Sequence, residues 1–322
     1  MNLDFERIAR ELMRALRGRR SQPALSRRLG FRTNVAYAWE SGRNFPTAAT
    51  FLYVATRTGC DVRAALEAFY RFAPDWLNAE KDLASPAGVR LLLQDLLAGQ
   101  PVVEVARAIG RSRFATARWL SGATEPRLPD FLRLIQALTL RVLDFVSVFV
   151  DPSVMASIAP AWQRLEAARR IAYEEPFAHA VLRAIELESY QRLNRHEAGF
   201  LARQLGITEE EEARYLRLLR DSGQIEHRQR RFRSTGEATV DTRRDPEQAE
   251  KLRRFWAQTA IERAGKHAED VLSFNIFTLA HADLERVREL HRRYFAELRA
   301  IAGQSEPAQA LLLANVQLVR LA

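Results

Sequence analysis

The sequence predicts a mainly α fold: two tandem five-helix domains, followed by a further helical domain with a short hairpin and a small α+β part. Three observations predict it. The stretch Gly30 to Pro46, GFRTNVAYAWESGRNFP, returns as Gly110 to Pro126, GRSRFATARWLSGATEP, so that Trp39 and Trp119, Ser41 and Ser121, Gly42 and Gly122, and Pro46 and Pro126 are each 80 residues apart. Apolar residues around both copies recur at helical spacing. Extended patterns are confined to the region after residue 223, in a hairpin, in VLSFNIFTL from Val271 and in an apolar run from about Leu311.

The first domain, 1–72, opens with a helix over Leu3 to Arg17, on which Phe5, Ile8, Leu12, Ala15 and Leu16 make one apolar face. Ser21 can cap the next helix, and Pro23 is tolerable in its first turn. Ala24 to Leu29 is a short helix, with Ser26 small where another helix must cross closely. Gly30 supplies a tight turn, and Thr33 to Trp39 is a second short helix with its tryptophan inward, stopped at Ser41-Gly42. Ala48 to Thr58 and Val62 to Tyr70 complete the five. A connector, 73–88, carries Pro74 and Pro86 and a short helix around Trp76. The second domain, 89–152, repeats the plan with Val89 to Leu97, Val103 to Ile109 around Ala106, the Gly110 turn and Arg113 to Leu120, and ends near Phe149.

Leu29, Gly30, Trp39, Glu40, Gly42, Arg43 and Pro46 meet the pattern of the lambda-repressor/Cro-like (XRE-type) helix-turn-helix family, which both repeats therefore resemble. Repeat two departs from it at Leu120 and Ala123, where the family's glutamate and loop cation are missing. The resemblance implies DNA contacts from the amino-terminal half of each second helix. Carried across, these are Thr33, Asn34, Tyr37 and Ala38 in repeat one and Arg113, Phe114, Ala117 and Arg118 in repeat two. Arg32 and Arg111, one or two residues earlier, are expected to reach bases or phosphates from the turn, and Arg43 is a further expected DNA-binding residue.

Asp151, Pro152 and Pro160 mark the next boundary, and Ala161 to Tyr173 reads as a linking helix within 153–175. The segment 176–245 has the order of a winged helix. A helix runs from Pro176 to about Leu193; Glu197 to Leu205, a Gly206 turn and Thr208 to Leu219 follow, with Thr208 and Glu211 as a capping box. After Gly223, Gln224 to Glu226 and Ala238 to Asp241 read as two strands around RQRRFRSTGE. Glu209 to Glu212 open the would-be reading helix, and four carboxylates facing phosphates argue for a structural or dimerising role. Alternation sends Arg231 and Arg233 to one face of the hairpin and Arg228 and Arg230 to the other, either solvated or lying along DNA phosphates.

The segment 246–322 reads as a helix from Glu247 to Ala264, the strand from Val271, a helix from Ala282 to Ala302 and the strand from Leu311. Thr239, Asp241 and Thr242, the helix Arg254 to Ala264, and the ending Asn315, Gln317, Leu318 and Leu321 resemble the C-terminal domain of unknown function in a family of bacterial transcriptional regulators. That resemblance covers roughly Pro176 to Ala322. It implies a regulator without naming a ligand.

With 322 residues, 47% of them hydrophobic, the chain can bury sizeable cores, and its net charge of +9 favours a polyanionic partner. Nearly all the positive charge is arginine, which suits phosphate forks and guanine edges. Cys60 is alone, which gives no disulfide framework, and neither a signal peptide nor a membrane-length apolar run is read, so a cytoplasmic location is expected. The six histidines form no metal-spaced pair, and HExxH, P-loop and GxSxG patterns are lacking. No enzyme activity, catalytic residue, metal or cofactor is therefore expected. The expected function is sequence-specific transcriptional regulation on double-stranded DNA, with a homodimer assembled, or a small-molecule or peptide effector sensed, through the C-terminal half. The alternative is a protein-interaction or antitoxin-like adaptor.

Overall fold

The computed structural model describes residues 3–70, 73–235, 240, 242 and 245–321. Among these the chain is mostly helical, and its sheet is one antiparallel pair of strands. It divides into two compact units, Met1–Arg169 with Gly236–Arg244, and Arg170–Thr235 with Asp245–Ala322.

In the first unit α1 (Phe5–Arg17) starts where the Asp4 carboxylate accepts from Arg7 N–H, and it buries Ile8, Leu12, Met13 and Leu16. Ser21 caps α2 (Gln22–Arg28), with proline in its first turn as predicted. The next helix, α3 (Val35–Ser41), begins two residues later than the apolar pattern suggests, because the Asn34 side chain caps it by accepting from Tyr37 N–H. It stops at Gly42, at φ 78°. Then come α4 (Ala48–Thr58), α5 (Val62–Phe69) and the short α6 (Asp75–Ala79). The second copy comprises α7 (Pro86–Leu97), α8 (Val102–Ile109), α9 (Arg113–Leu120), α10 (Leu128–Thr139) and α11 (Val142–Ser147).

The 80-residue offset holds bond by bond. Phe31 N–H donates to the Ser26 carbonyl and Arg111 N–H to that of Ala106, both at 3.0 Å; Asn44 N–H donates to Ala38 and Thr124 N–H to Arg118, both at 3.2 Å. Gly122 also has φ 78°. A Cβ on Gly42 would meet the Arg10 side chain at 3.0 Å, and one on Gly122 would meet Arg90 at 2.5 Å, so each turn lets the first helix of its repeat cross closely.

The two copies share one core. Ala48 N–H donates to the Pro126 carbonyl (3.0 Å) and Leu128 N–H to the Pro46 carbonyl (2.8 Å), flanking a bridge between Thr47 and Arg127. All of these are equivalent positions, so the exchange is self-complementary, as at a two-fold interface. Phe51 and its counterpart Phe131 lie 6.5 Å apart, and Phe145 and Phe149 close on Phe51 to make one aromatic cluster. The domains expected at 1–72 and 89–152 are thus halves of a single compact unit.

A 3-10 turn at Pro152–Val154 leads to α12 (Ala159–Glu174), which passes from the first unit into the second. The helix expected from Pro176 to Leu193 is two, α13 (Ala178–Ala184) and α14 (Glu188–Gln191), because Ile185 and Leu187 turn into the core between them and the Gln191 amide caps the freed Ile185 carbonyl. Next are α15 (Phe200–Leu205) and α16 (Glu209–Asp221), the latter with the expected capping box.

The hairpin differs from the expected one. Its strands are β1 (Ile225–Arg228) and β2 (Arg231–Ser234), so the second lies inside the presumed loop. Ala238, Thr239 and Asp241 fall outside the described residues, while Val240 belongs to the first unit and packs on its core. Two helices follow, α17 (Pro246–Arg263) and, after a 3-10 turn, α18 (Leu284–Gln304). The expected strands from Val271 and Leu311 are not strands, since neither finds a hydrogen-bonded neighbour among the described residues.

Candidate nucleic-acid interface

Between Gly18 and Thr58 the one acidic residue is Glu40, and it is buried. Arg17 donates to both its oxygens (2.6 and 3.0 Å) and Gln22 adds a third bond (2.9 Å). The carboxylate is thereby removed from the surface, which leaves Arg19, Arg20, Arg27, Arg28, Arg32 and Arg43 exposed around α2 and α3 with no anion among them. Thr33, Asn34 and Tyr37 are exposed beside these arginines. Asn34, besides capping α3, lies 3.2 Å from the Ser26 hydroxyl, which in turn accepts from Ala36 N–H. It therefore has a structural duty at the place where a base contact was expected. Arg43 sits over the Tyr37 ring at 5.1 Å, a cation–π pair on the outer face of the helix.

Repeat two carries its arginines on α9 itself. Arg113, Phe114 and Arg118 are all exposed, Phe114 at 73%, with the Arg118 guanidinium 5.6 Å from its ring centre. A ring with that exposure contributes little to a core. Arg111 is different. It donates to Asp130 (2.8 Å), which Arg133 also holds, and Arg133 reaches Glu6 of α1 (2.6 Å). This chain ties the repeats together and partly neutralises Arg111. Hydrogen bonding from Arg133 holds the Glu6 carboxyl below the usual carboxylate range.

In the second unit the strand register pairs Arg228 with Arg231 and Glu226 with Arg233. Directly opposite residues share a face, so Arg228, Arg231 and Arg233 lie together beside Glu226, correcting the split expected from a longer loop. Arg230 occupies the tip with Gln229, at φ 63° and 51°, the left-handed values a two-residue hairpin turn demands. The opposite face carries His227 and Phe232, the latter packed on the core with Ile225. Arg231 and Arg233 are half-buried, whereas Arg228 and Arg230 are exposed.

The hairpin is pinned from beneath. Phe232 N–H donates to the Tyr190 hydroxyl (3.1 Å), which lies 3.2 Å from His196 Nδ1, and His196 N–H donates to the Arg230 carbonyl (2.7 Å). Burial pushes the Tyr190 phenol up and the His196 imidazole down, which favours the uncharged form of each. Of the four glutamates opening α16, Glu211 closes the capping box and buried Glu212 accepts from Ala202 N–H (2.8 Å) in the first turn of α15. Glu209 abuts Gly199, where a Cβ would strike its carboxylate. The cluster is largely internal scaffolding.

Sequence reasoning missed the Arg17–Gln22–Glu40 set and the Glu6–Arg133–Asp130–Arg111 chain. The first had a signal: the residues 80 positions on are Leu97, Val102 and Leu120, an apolar set in the same place. Among the described residues no group of His, Cys, Asp or Glu is arranged to hold a metal, and no helix is long and apolar enough to cross a membrane.

No curated protein and no solved structure matches the chain. Among family models, no helix-turn-helix family is found on it. Residues 159–321 match the family described as Domain of unknown function (DUF4423). The match starts at the beginning of α12, earlier than the resemblance from Pro176 implied, and takes in the hairpin, α17 and α18. Since it covers half of the 322 residues, the chain belongs to the DUF4423 family.

Proposed function

We propose that the chain is a sequence-specific DNA-binding transcriptional regulator whose first unit reads duplex DNA with two Cro-like helix-turn-helix elements. The observation that carries this reading is the reciprocal exchange between Pro46–Ala48 and Pro126–Leu128. It makes the two repeats an intramolecular counterpart of a two-fold dimer, the arrangement in which helix-turn-helix proteins present two reading helices to successive major grooves. In this reading α3 and α9 enter the grooves. Tyr37 and Arg43 serve one half-site, Arg113, Phe114 and Arg118 the other, and the exposed arginines around α2 bind phosphates. The second unit, with its winged-helix order of elements, serves assembly or signal sensing.

Selection of bound sequences from random duplex DNA tests the reading. Two unlike half-sites about one helical turn, roughly 34 Å, apart are expected, with affinity falling linearly in the logarithm of salt concentration. No enriched sequence together with salt-insensitive binding would leave the adaptor role instead.

A further inference from the structure

Position 114 of α9 is free of the duty that its equivalent has in repeat one. There the residue is Asn34, which caps α3 by accepting from Tyr37 N–H. In repeat two Ser112 is the cap, accepting from Ala115 N–H (3.2 Å), and α9 turns Thr116 and Leu120 into the core. Phe114 is left as the second residue of the helix, with its ring 73% exposed. Arg113 precedes it, and Arg118 lies one turn on along the same face, its guanidinium 5.6 Å from the ring centre. No acidic residue occurs between Glu104 and Glu125. The charged neighbours of the ring on this helix are thus all cations, and the partner that fits is anionic and yet presents an apolar group.

We propose that Phe114 reads the 5-methyl group of a pyrimidine, thymine in unmodified DNA, one or two base pairs from a guanine that Arg118 reads. This rests on the proposed entry of α9 into the major groove, and names the chemistry by which that helix chooses sequence. Of the groups that base pairs show in the major groove, the thymine methyl is the apolar one. The second residue of α9 belongs to the amino-terminal half, from which a reading helix contacts base edges. A guanidinium held by its face over a ring keeps its edge, which carries the N–H donors, for guanine O6 and N7. Base pairs rise by roughly 3.4 Å, so the 5.6 Å between guanidinium and ring centre spans one or two of them. Repeat one has the polar Asn34 at this position, so the methyl preference belongs to one half-site.

The test uses the full chain and the duplex selected from random DNA, with each thymine replaced in turn by uracil, which removes the methyl and nothing else. At one thymine, within two base pairs of the guanine whose preference Arg118→Ala relaxes, the unaltered chain should lose about fourfold in affinity, the value of one buried methyl-sized group. Phe114→Ala should bind thymine and uracil there equally, with its helical circular dichroism unchanged because the ring is exposed. Cytosine placed at that position should gain a similar factor on methylation at C5, again in the unaltered chain alone. Indifference to the methyl at every thymine, a Phe114→Ala variant that keeps the discrimination, or a selected site with no thymine near that guanine would each overturn the proposal while leaving the reading of DNA in place. A selection that enriches no sequence would overturn both.

Discussion

At the scale of single residues, the most informative comparison is between Glu40 and Leu120. The family pattern suggests that losing this glutamate weakens DNA binding by repeat two, but the structure shows the side chain turned inward onto Arg17 and Gln22. Repeat two fills the same space with Leu120, Leu97 and Val102. A buried ion pair and a well-packed apolar set can be of similar stability, whereas half of an ion pair cannot. Glu40→Ala should therefore destabilise the unit by about 2–3 kcal/mol in urea unfolding, less than a fully buried pair because Arg17 keeps some solvent contact. The triple change Arg17→Leu, Gln22→Val and Glu40→Leu should recover most of that loss. If the triple variant is no more stable than Glu40→Ala, the two sets are not equivalent. The motif could not reveal this role, because the partners of Glu40 lie outside it, 23 and 18 residues upstream.

At the scale of elements, features set by local chemistry were legible in the sequence. Ser21, Gly42 and the Thr208–Glu211 box fixed helix ends through hydrogen bonds within a few residues. Features that depend on a distant partner were not. VLSFNIFTL has strand alternation but no neighbour, and the hairpin closed at Gln229–Arg230, where no glycine advertises a turn. The corrected register changes what the hairpin can do. Arg228 and Arg230 are exposed while Arg231 and Arg233 are half-buried, so under the DNA-binding proposal the first two should carry the phosphate contacts. Each lost contact flattens the logarithmic salt slope by about 0.9, and Arg228→Ala/Arg230→Ala should flatten it as much as replacing all four arginines. A further change in the fourfold variant would reassign the contacts. The anchor beneath the hairpin also predicts a pH response. His196 has a lowered folded pKa, chiefly through burial, so its contribution is complete above the ordinary value of about 6.5 and is lost as pH falls from there toward the folded value. The protection of the Phe232 amide, the intrinsic exchange rate at the same pH divided by the observed one, should fall over that window, and His196→Phe should remove this dependence.

At the scale of the whole molecule, the repeat was visible as an 80-residue offset, but the shared core was not, since equivalence in sequence says nothing of how copies pack. Phe51, Phe131, Phe145 and Phe149 belong to both halves at once, and Arg133 bonds Glu6 across them. A fragment of residues 1–72 would expose that cluster, so it should lack cooperative unfolding, while residues 1–169 should unfold in one transition. A folded, monomeric 1–72 fragment would show that the halves are independent.

Under the proposed function, the same fusion lets the two halves diverge separately as DNA readers. In a homodimer both reading helices must change together, whereas here one half presents Tyr37 and Arg43 where the other has Ala117 and Ala123, and Phe114 and Arg118 stand where the first has Asn34 and Ala38. Under the proposed function the two half-sites should therefore be recognised by different chemistry on one chain. Arg113→Ala and Arg118→Ala should each cost about 1–3 kcal/mol and relax a guanine preference in one half-site alone. Tyr37→Ala with Arg43→Ala should act on the other, and the two sets of losses should add, as they do for groups that share no partner. Scrambling one half-site of the selected DNA then gives the decisive comparison: it should abolish the effect of one set and leave the other intact. If both effects vanish together, or random DNA weakens as much as the selected sequence, these side chains are phosphate anchors and the halves do not read separately.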